Sequence, residues 1–200
     1  MKILNQIENI CYNIPIQCNI DIALLDLDNL FYQLGITEDY IEKNRTINLS
    51  HLPELKNEDR WKKYSGNHFT VSNDNKREGD FVKFLDELTG SYLKEIIDKI
   101  YDYHLKKFDA PFAGRAQLIT LPPGVCYTLH RDLHTKHRYH IPLKTHKDIV
   151  WMFKNDNEDP KLLHMPADGN IWYLDPITIK HTVMNMSPIH RWHILLTSEK

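Results

Sequence analysis

From residue 111 onward, short apolar segments recur every 8 to 12 residues, and turn signals separate most of them. The segments are 116–121, 125–129, 139–143, 149–153, 162–165, 171–174, 177–184 and 191–197. Between them stand Pro122-Pro123-Gly124, Lys154-Asn155-Asp156-Asn157, Asp168-Gly169-Asn170, Asp175-Pro176 and Ser187-Pro188. Runs this short cannot make amphipathic helices, and seven or eight strands at such a rhythm predict a sandwich or a barrel.

The first 110 residues have a different pattern. Phe81, Phe84, Leu85, Leu88, Tyr92, Ile96 and Ile100 recur at steps of three and four, which predicts helix over 79–107, with Gly90 as a break. A shorter amphipathic stretch covers 22–34. Residues 50–79 are polar and charged and read as an exposed loop and a candidate lid. The expected organisation is one compact unit. Residues 1–110 form a helical and loop-rich part that shapes a substrate pocket, and 111–200 form an all-β catalytic core.

Composition excludes several functions. Twenty-five basic against 27 acidic residues leave a net charge of −2, without the cationic excess that nucleic acid or an anionic membrane surface demands. No apolar run approaches the roughly 18 residues of a membrane span. The first eight residues carry an acid and amides where a secretion signal needs an apolar core. Three cysteines without a CxxC pair make a disulfide framework or zinc knuckle a poor fit, so a cytoplasmic location is expected.

Histidine is the outlier. There are 12 in 200 residues, nine of them between His130 and His193. Imidazole is the commonest metal ligand, so this is where chemistry is to be sought. In His130-Arg131-Asp132 an imidazole and a carboxylate stand two apart, on one face of an extended chain. One more histidine would complete a two-His, one-carboxylate triad with open coordination positions, the set used by non-haem Fe(II) oxygenases. At this composition chance supplies His-x-acid about once or twice, and His146-Lys147-Asp148 is a second instance. Context separates them: His130 closes an apolar strand, while His146 sits in a hairpin turn. His164, His181, His190 and His193 are candidates for the third ligand. His181 is favoured because Arg191 follows ten residues later. If Ser187-Pro188 turns an antiparallel pair, Arg191 lies roughly 13 Å along the strand from His181. A dicarboxylate could then chelate the ion at one end and meet the guanidinium fork at the other.

The ordered set Gly114-Arg115-Ala116-Gln117-Leu118, Leu121-Pro122-Pro123-Gly124, His130-Arg131-Asp132, Arg138-Tyr139-His140-Ile141-Pro142-Leu143, Gly169, His181-Thr182-Val183, Asn185, Ser187 and Arg191 resembles the aspartyl/asparaginyl β-hydroxylase family of 2-oxoglutarate-dependent oxygenases. The resemblance covers about 114–197. It implies a mainly β fold with flanking helices around a double-stranded β-helix (jelly-roll, cupin-like) core, and a site for Fe(II), 2-oxoglutarate and O2. It further implies His130, Asp132 and His181 as metal ligands, Arg191 as the distal carboxylate anchor, and Arg138 and His140 as co-substrate contacts. The animal members lack the carboxylate ligand, so Asp132 places the resemblance with the bacterial branch, which includes free-proline hydroxylases. The implied reaction hydroxylates an amino-acid side chain, free or within a peptide or protein, and converts 2-oxoglutarate to succinate.

The neighbouring residues have plainer readings. Arg115 orients a strand or helix end, His134 and His137 face solvent in a turn, Trp151 and Trp172 pack the core, and Asn185 satisfies a turn. Cys126 reads as a small buried strand residue, and His193 shares the face of Arg191. Two other functions stay open on the sequence: a cupin-like metalloenzyme that does not use 2-oxoglutarate, and a non-catalytic jelly-roll binding module.

Overall fold

The structure, a computed structural model, describes residues 9–63, 78–133, 135–156 and 158–199. The alternating segments of the C-terminal half become β5 (Gly114–Leu121), β6 (His137–Lys144), β7 (Ile149–Lys154), β8 (Lys161–Leu163), β9 (Asn170–Leu174), β10 (Lys180–Asn185) and β11 (Arg191–Ser198). Four more strands come from the N-terminal half: β1 (Cys11–Gln17), β2 (Thr46–Asn48), β3 (Ser50–His51) and β4 (Lys83–Phe84). The main sheet runs β1-β9-β6-β11-β5-β2, and a smaller one runs β10-β7-β8. Residues 125–130 lie beside β10, tied by the antiparallel bridges Cys126↔Met184 and His130↔His181. From β5 onward the chain passes back and forth between the two sheets, which is the double-stranded β-helix (jelly-roll) core.

Alternation along each strand gives the main sheet two unlike faces. Its outer face carries Leu118, Tyr139, Ile141, Ile171, Ile194 and Leu196, all in one apolar cluster with the helices α1 (Ile20–Leu34) and α4 (Tyr92–Phe108). Leu27, Leu30, Ile96, Ile97 and Ile100 are the helical side of that layer, each at most 1% exposed. Burial of each such side chain contributes about 1.5–3 kcal/mol. The Asn19 and Ser91 side chains cap the two helices by accepting from the N–H groups of Ile22 and Lys94. The Leu93 N–H donates to Asp26 at 2.7 Å, which locks one helix start against the other helix. Between them come two short helices, α2 (Glu38–Asn44) and α3 (Asp59–Lys62).

The inner face is a different surface. Asn48, Gln117, His140, Arg191 and His193 sit on it, all at most 4% exposed, opposite Trp151, Phe153 and Val183 of the smaller sheet. The hydrophobic pattern therefore places a buried polar floor between two sheets. Gly114 starts β5 where a Cβ would fall 1.9 Å from the Thr197 carbonyl oxygen, so only glycine admits β11 this closely.

Several sequence expectations need correction. Helix does not run from 79: residues 78–88 form two single 3-10 turns around β4, and α4 starts only after Gly90, whose φ is +77°. Phe81, Leu85 and Leu88 are buried as the pattern required, but through tertiary contacts such as the Leu85 N–H donating to Leu49. Residues 50–63 are an exposed loop only in part: 53, 54 and 56–59 are exposed, but Ser50, His51, Leu52 and Trp61 are at most 4% exposed and β3 pairs with β4. The rest of the proposed lid, 64–77, and His134 lie outside the described residues. Cys126 is exposed rather than buried. His137 does not face solvent: it is 4% exposed, with Nδ1 2.9 Å from the Tyr173 hydroxyl.

His137 packs 4.7 Å from His104 of α4, whose own Nδ1 lies 2.9 Å from the Tyr139 hydroxyl. Burial, then the neighbouring charge of Lys136, pushes His137 down to about 4. Burial, then His137 and Lys136, pushes His104 down to about 4. Both are neutral in the folded state, while in the unfolded chain they take up protons near 6.5. Their stabilisation is therefore complete above pH 6.5 and is lost as pH falls from there through about 4. At about 1.4 kcal/mol per pKa unit, and with solvent screening, each should cost about 1–3 kcal/mol. Urea unfolding of metal-free protein at pH 7.5 and pH 4.5 should show the fall, and His104→Gln should reduce it by about half. An equally steep fall in that variant would contradict the assignment.

Candidate metal centre

Gly124, with φ +72°, turns the chain after β5 so that 125–130 runs back along β10. His130 and His181 then stand directly opposite each other. The His130 N–H donates to the His181 carbonyl at 3.1 Å, and the His181 N–H to the His130 carbonyl at 2.7 Å. Directly paired residues point to the same side, and the two rings lie 4.7 Å apart. Two residues on, the Asp132 N–H donates to the Pro176 carbonyl and fixes its carboxylate, with Oδ1 3.5 Å from His130 Nε2. One ligand atom from each of His130, Asp132 and His181 lies within 4.8 Å of the others. Among the described residues no other group of three histidine, cysteine or acidic side chains comes together in this way. His146 and Asp148 pair with each other in a half-exposed turn.

Hydrogen bonds set the tautomers. His130 Nδ1 is 2.6 Å from the Thr128 carbonyl, and His181 Nδ1 is 3.2 Å from that of Ile179. A carbonyl only accepts, so each Nδ1 carries a proton and each Nε2 is the ring nitrogen turned to the centre, His130 Nε2 toward Asp132 Oδ1. His181 Nε2 is buried without a hydrogen-bond partner among the described residues. Burial, then the Arg138 charge, pushes His181 down to about 4, so its lone pair is free at neutral pH. Burial alone would raise Asp132, but the His130 hydrogen bond and the Arg138 charge outweigh it and keep the carboxyl below its usual range. The Asp132 hydrogen bond chiefly raises His130. On binding a metal, His130 would give up the proton it shares with Asp132, and two imidazole nitrogens with an ionised carboxylate would then be a fitting donor set for Fe(II).

Arg191 is reached by another route than the sequence suggested. β10 and β11 belong to different sheets, so no hairpin joins them and the strand-length estimate does not apply. Residues 186–190 cross between the sheets, held by Asn185. Its Oδ1 accepts from the N–H and hydroxyl of Ser187, and its Nδ2 donates to Leu121 and Ile189. Arg191 instead faces the centre across the interior. Its guanidinium lies 5.5 Å over Trp151, whose ring is stacked 6.2 Å from His181 and stands 4.9 Å from His140. Trp151, expected as plain core, is thus the wall shared by the candidate ligand cluster and the arginine.

Arg191 is 1% exposed, and its Nε and Nη1 meet no hydrogen-bond partner among the described residues; burial holds it down to about 10. His140 and His193, 5.7 Å apart, have no partner at either ring nitrogen among the described residues, and burial keeps both well below the usual histidine range. An unpaired buried cation is costly, and each orphaned donor or acceptor costs about 1–3 kcal/mol. Such groups crowd one face where a ligand completes them. The one sign in the sequence was Arg191-Trp192-His193, two on one strand face. His193→Leu should therefore raise the urea-unfolding free energy of unliganded protein by about 1 kcal/mol; a clear loss would mean that the imidazole has a structural partner.

Arg138 and His140 alternate on β6 as expected but face different partners. His140 meets Trp151, whereas Arg138 Nη2 lies 2.6 Å from Asp132 Oδ2. Arg115 is 3% exposed with its guanidinium over Phe81, at the start of β5.

No protein-family model and no curated protein matched the chain. Among solved structures, AviO1 from Streptomyces viridochromogenes Tue57 is similar over 96% of this chain and 90% of its own, at 10% identity and a TM-score of 0.53, a likeness of fold. A 2OG-Fe(II) oxygenase family oxidoreductase from Burkholderia pseudomallei aligns with 59% of this chain, and a Pseudomonas putida prolyl-4-hydroxylase with 55%, each at 12% identity and a TM-score of 0.45. The chain covers 61% and 66% of those two proteins, and likeness at that level carries no argument about function. Among the described residues no helix is long and apolar enough to cross a membrane.

Proposed function

We propose that this protein is an Fe(II)- and 2-oxoglutarate-dependent dioxygenase that hydroxylates an amino-acid side chain, free or within a peptide or protein. The observation that carries this reading is the buried, unpaired Arg191 facing the same interior as His130, Asp132 and His181, with Trp151 against both. A metal cluster alone would suit many enzymes; a buried cation set across from it asks for a ligand that is anionic at its far end.

His130, Asp132 and His181 would hold the ion and leave its remaining positions open. When bound, Fe(II) supplies oxygen activation coupled to the conversion of 2-oxoglutarate to succinate and carbon dioxide. Arg191 binds the distal carboxylate, and its fixed fork sets the co-substrate's direction. His140 and His193, neutral in this interior, add hydrogen-bonding capacity without adding charge. Trp151 closes the wall between the two ends and keeps bulk water from the reacting atoms. These groups stand on strands, which hold geometry better than loops. The substrate would be a small amino acid or a peptidyl Asp, Asn or Pro-type residue encountered in the cytoplasm, with neither nucleic acid nor membrane as partner.

Anaerobic protein loaded with Fe(II) and 2-oxoglutarate, then exposed to oxygen with a panel of amino acids and peptides, should form succinate and a product heavier by one oxygen atom. Metal uptake with no dependence on 2-oxoglutarate would replace this reading with that of a metalloenzyme using other chemistry. Protein that takes up no metal would support a binding module.

A further inference from the structure

The two oxygens of Asp132 have different surroundings. Oδ1 faces the imidazoles, 3.5 Å from His130 Nε2, while Oδ2 lies 2.6 Å from the Arg138 guanidinium. Asp132 and Arg138 side chains are only 11% and 20% exposed, so the pair is shielded from the water that would otherwise loosen it. The contact is an ion pair and not an aligned hydrogen bond, and Arg138 Nε is itself buried without a partner among the described residues. Arg138 is held by β6, in register with Leu174 of β9 and Thr197 of β11, so its guanidinium approaches Asp132 from a strand interior.

A carboxylate on a metal can bind through one oxygen or both. The second mode takes up a coordination position that a chelating co-substrate needs. We infer that Arg138 is a positioning residue that holds Asp132 Oδ2 away from the metal, so that Asp132 ligates through Oδ1 alone and a position stays open for a bidentate 2-oxo acid. The inference rests on the metal-and-dicarboxylate reading above. It assigns Arg138 an action through Asp132, which differs from direct contact with the co-substrate.

The two actions separate in a double-mutant cycle. The dissociation constant of 2-oxoglutarate is measured anaerobically by calorimetry on Co(II)-saturated protein, and the visible Co(II) spectrum reports the coordination number. In R138L, Co(II) should still bind within about threefold of wild type, its spectrum should change, and 2-oxoglutarate affinity should fall at least tenfold. R138K keeps one cationic donor for Oδ2 and should restore most of both. In the D132A background, adding R138L should change 2-oxoglutarate affinity less than twofold, because the oxygen it acts on is gone.

An equal loss in both backgrounds would mean that Arg138 contacts the co-substrate itself and would overturn the inference. An unchanged Co(II) spectrum in R138L would overturn it as well, without recourse to the double variant. Both results would leave the dioxygenase reading standing. Wild-type protein that takes up Co(II) but no 2-oxoglutarate would instead end that reading and the inference with it.

Discussion

Arg191→Met should cost the protein its 2-oxoglutarate binding while making the fold more stable. The guanidinium is 1% exposed, and its Nε and Nη1 lack hydrogen-bond partners. Burying an unpaired charge opposes folding, so replacing it with an apolar side chain should raise the urea-unfolding free energy by about 1–3 kcal/mol. Methionine keeps a soft contact with the Trp151 ring and fills most of the space. Ligand binding should move the other way. Removing one partner of a buried charge pair costs about 2–5 kcal/mol, or roughly 30-fold or more in affinity. Calorimetry and urea unfolding on the same preparation would read both. A variant that loses stability and keeps its affinity would make Arg191 a structural residue.

The second large effect is expected at His181, whose Nε2 is buried and orphaned and whose other ring nitrogen is committed to the Ile179 carbonyl. His181→Ala removes one of the three proposed ligands and should weaken binding of Fe(II), Mn(II) or Co(II) at least about 100-fold, beyond what loss of a supporting residue does. Stability without metal should change little, because the backbone pairing between His130 and His181 survives the truncation. Metal titration of the variant, followed by calorimetry, is the check, and wild-type affinity would end the ligand assignment. His146→Ala, on the exposed turn, should bind metal as wild type does.

The strands of the C-terminal half were legible because alternation and turn residues agree over 114–198, and 125–129 was read as a strand although only isolated bridges tie it to β10. β1 and β2 were not legible, and the reason is physical. Cys11–Gln17 contains Pro15 and Asn13, and Thr46–Asn48 is three residues long, so neither carries a pattern until the sheet edge beside it exists. Helix was wrongly extended to 79 because Phe81, Leu85 and Leu88 keep a helical spacing while packing in another backbone path. His130-Arg131-Asp132 could be found by spacing, since residues two apart share a face wherever the chain is extended. The nearness of Arg191 to that site could be suspected but its route could not, because a turn at Ser187-Pro188 looks the same whether the chain reverses within a sheet or crosses to another. Trp151 and His193 were read as ordinary because their importance lies in what surrounds them. An orphaned ring nitrogen or an indole between two charged centres is a property of packing, which residue identity does not carry.

The central claim is that His130, Asp132, His181 and Arg191 enclose one site that takes a metal ion and a dicarboxylate together. Anaerobic calorimetry of 2-oxoglutarate into metal-free and Mn(II)-saturated protein tests it most directly. Affinity should be at least tenfold higher with metal bound, and this gain should vanish in both H181A and R191M. Equal affinity with and without metal would contradict the claim, since two independent sites would then account for the residues as well as one.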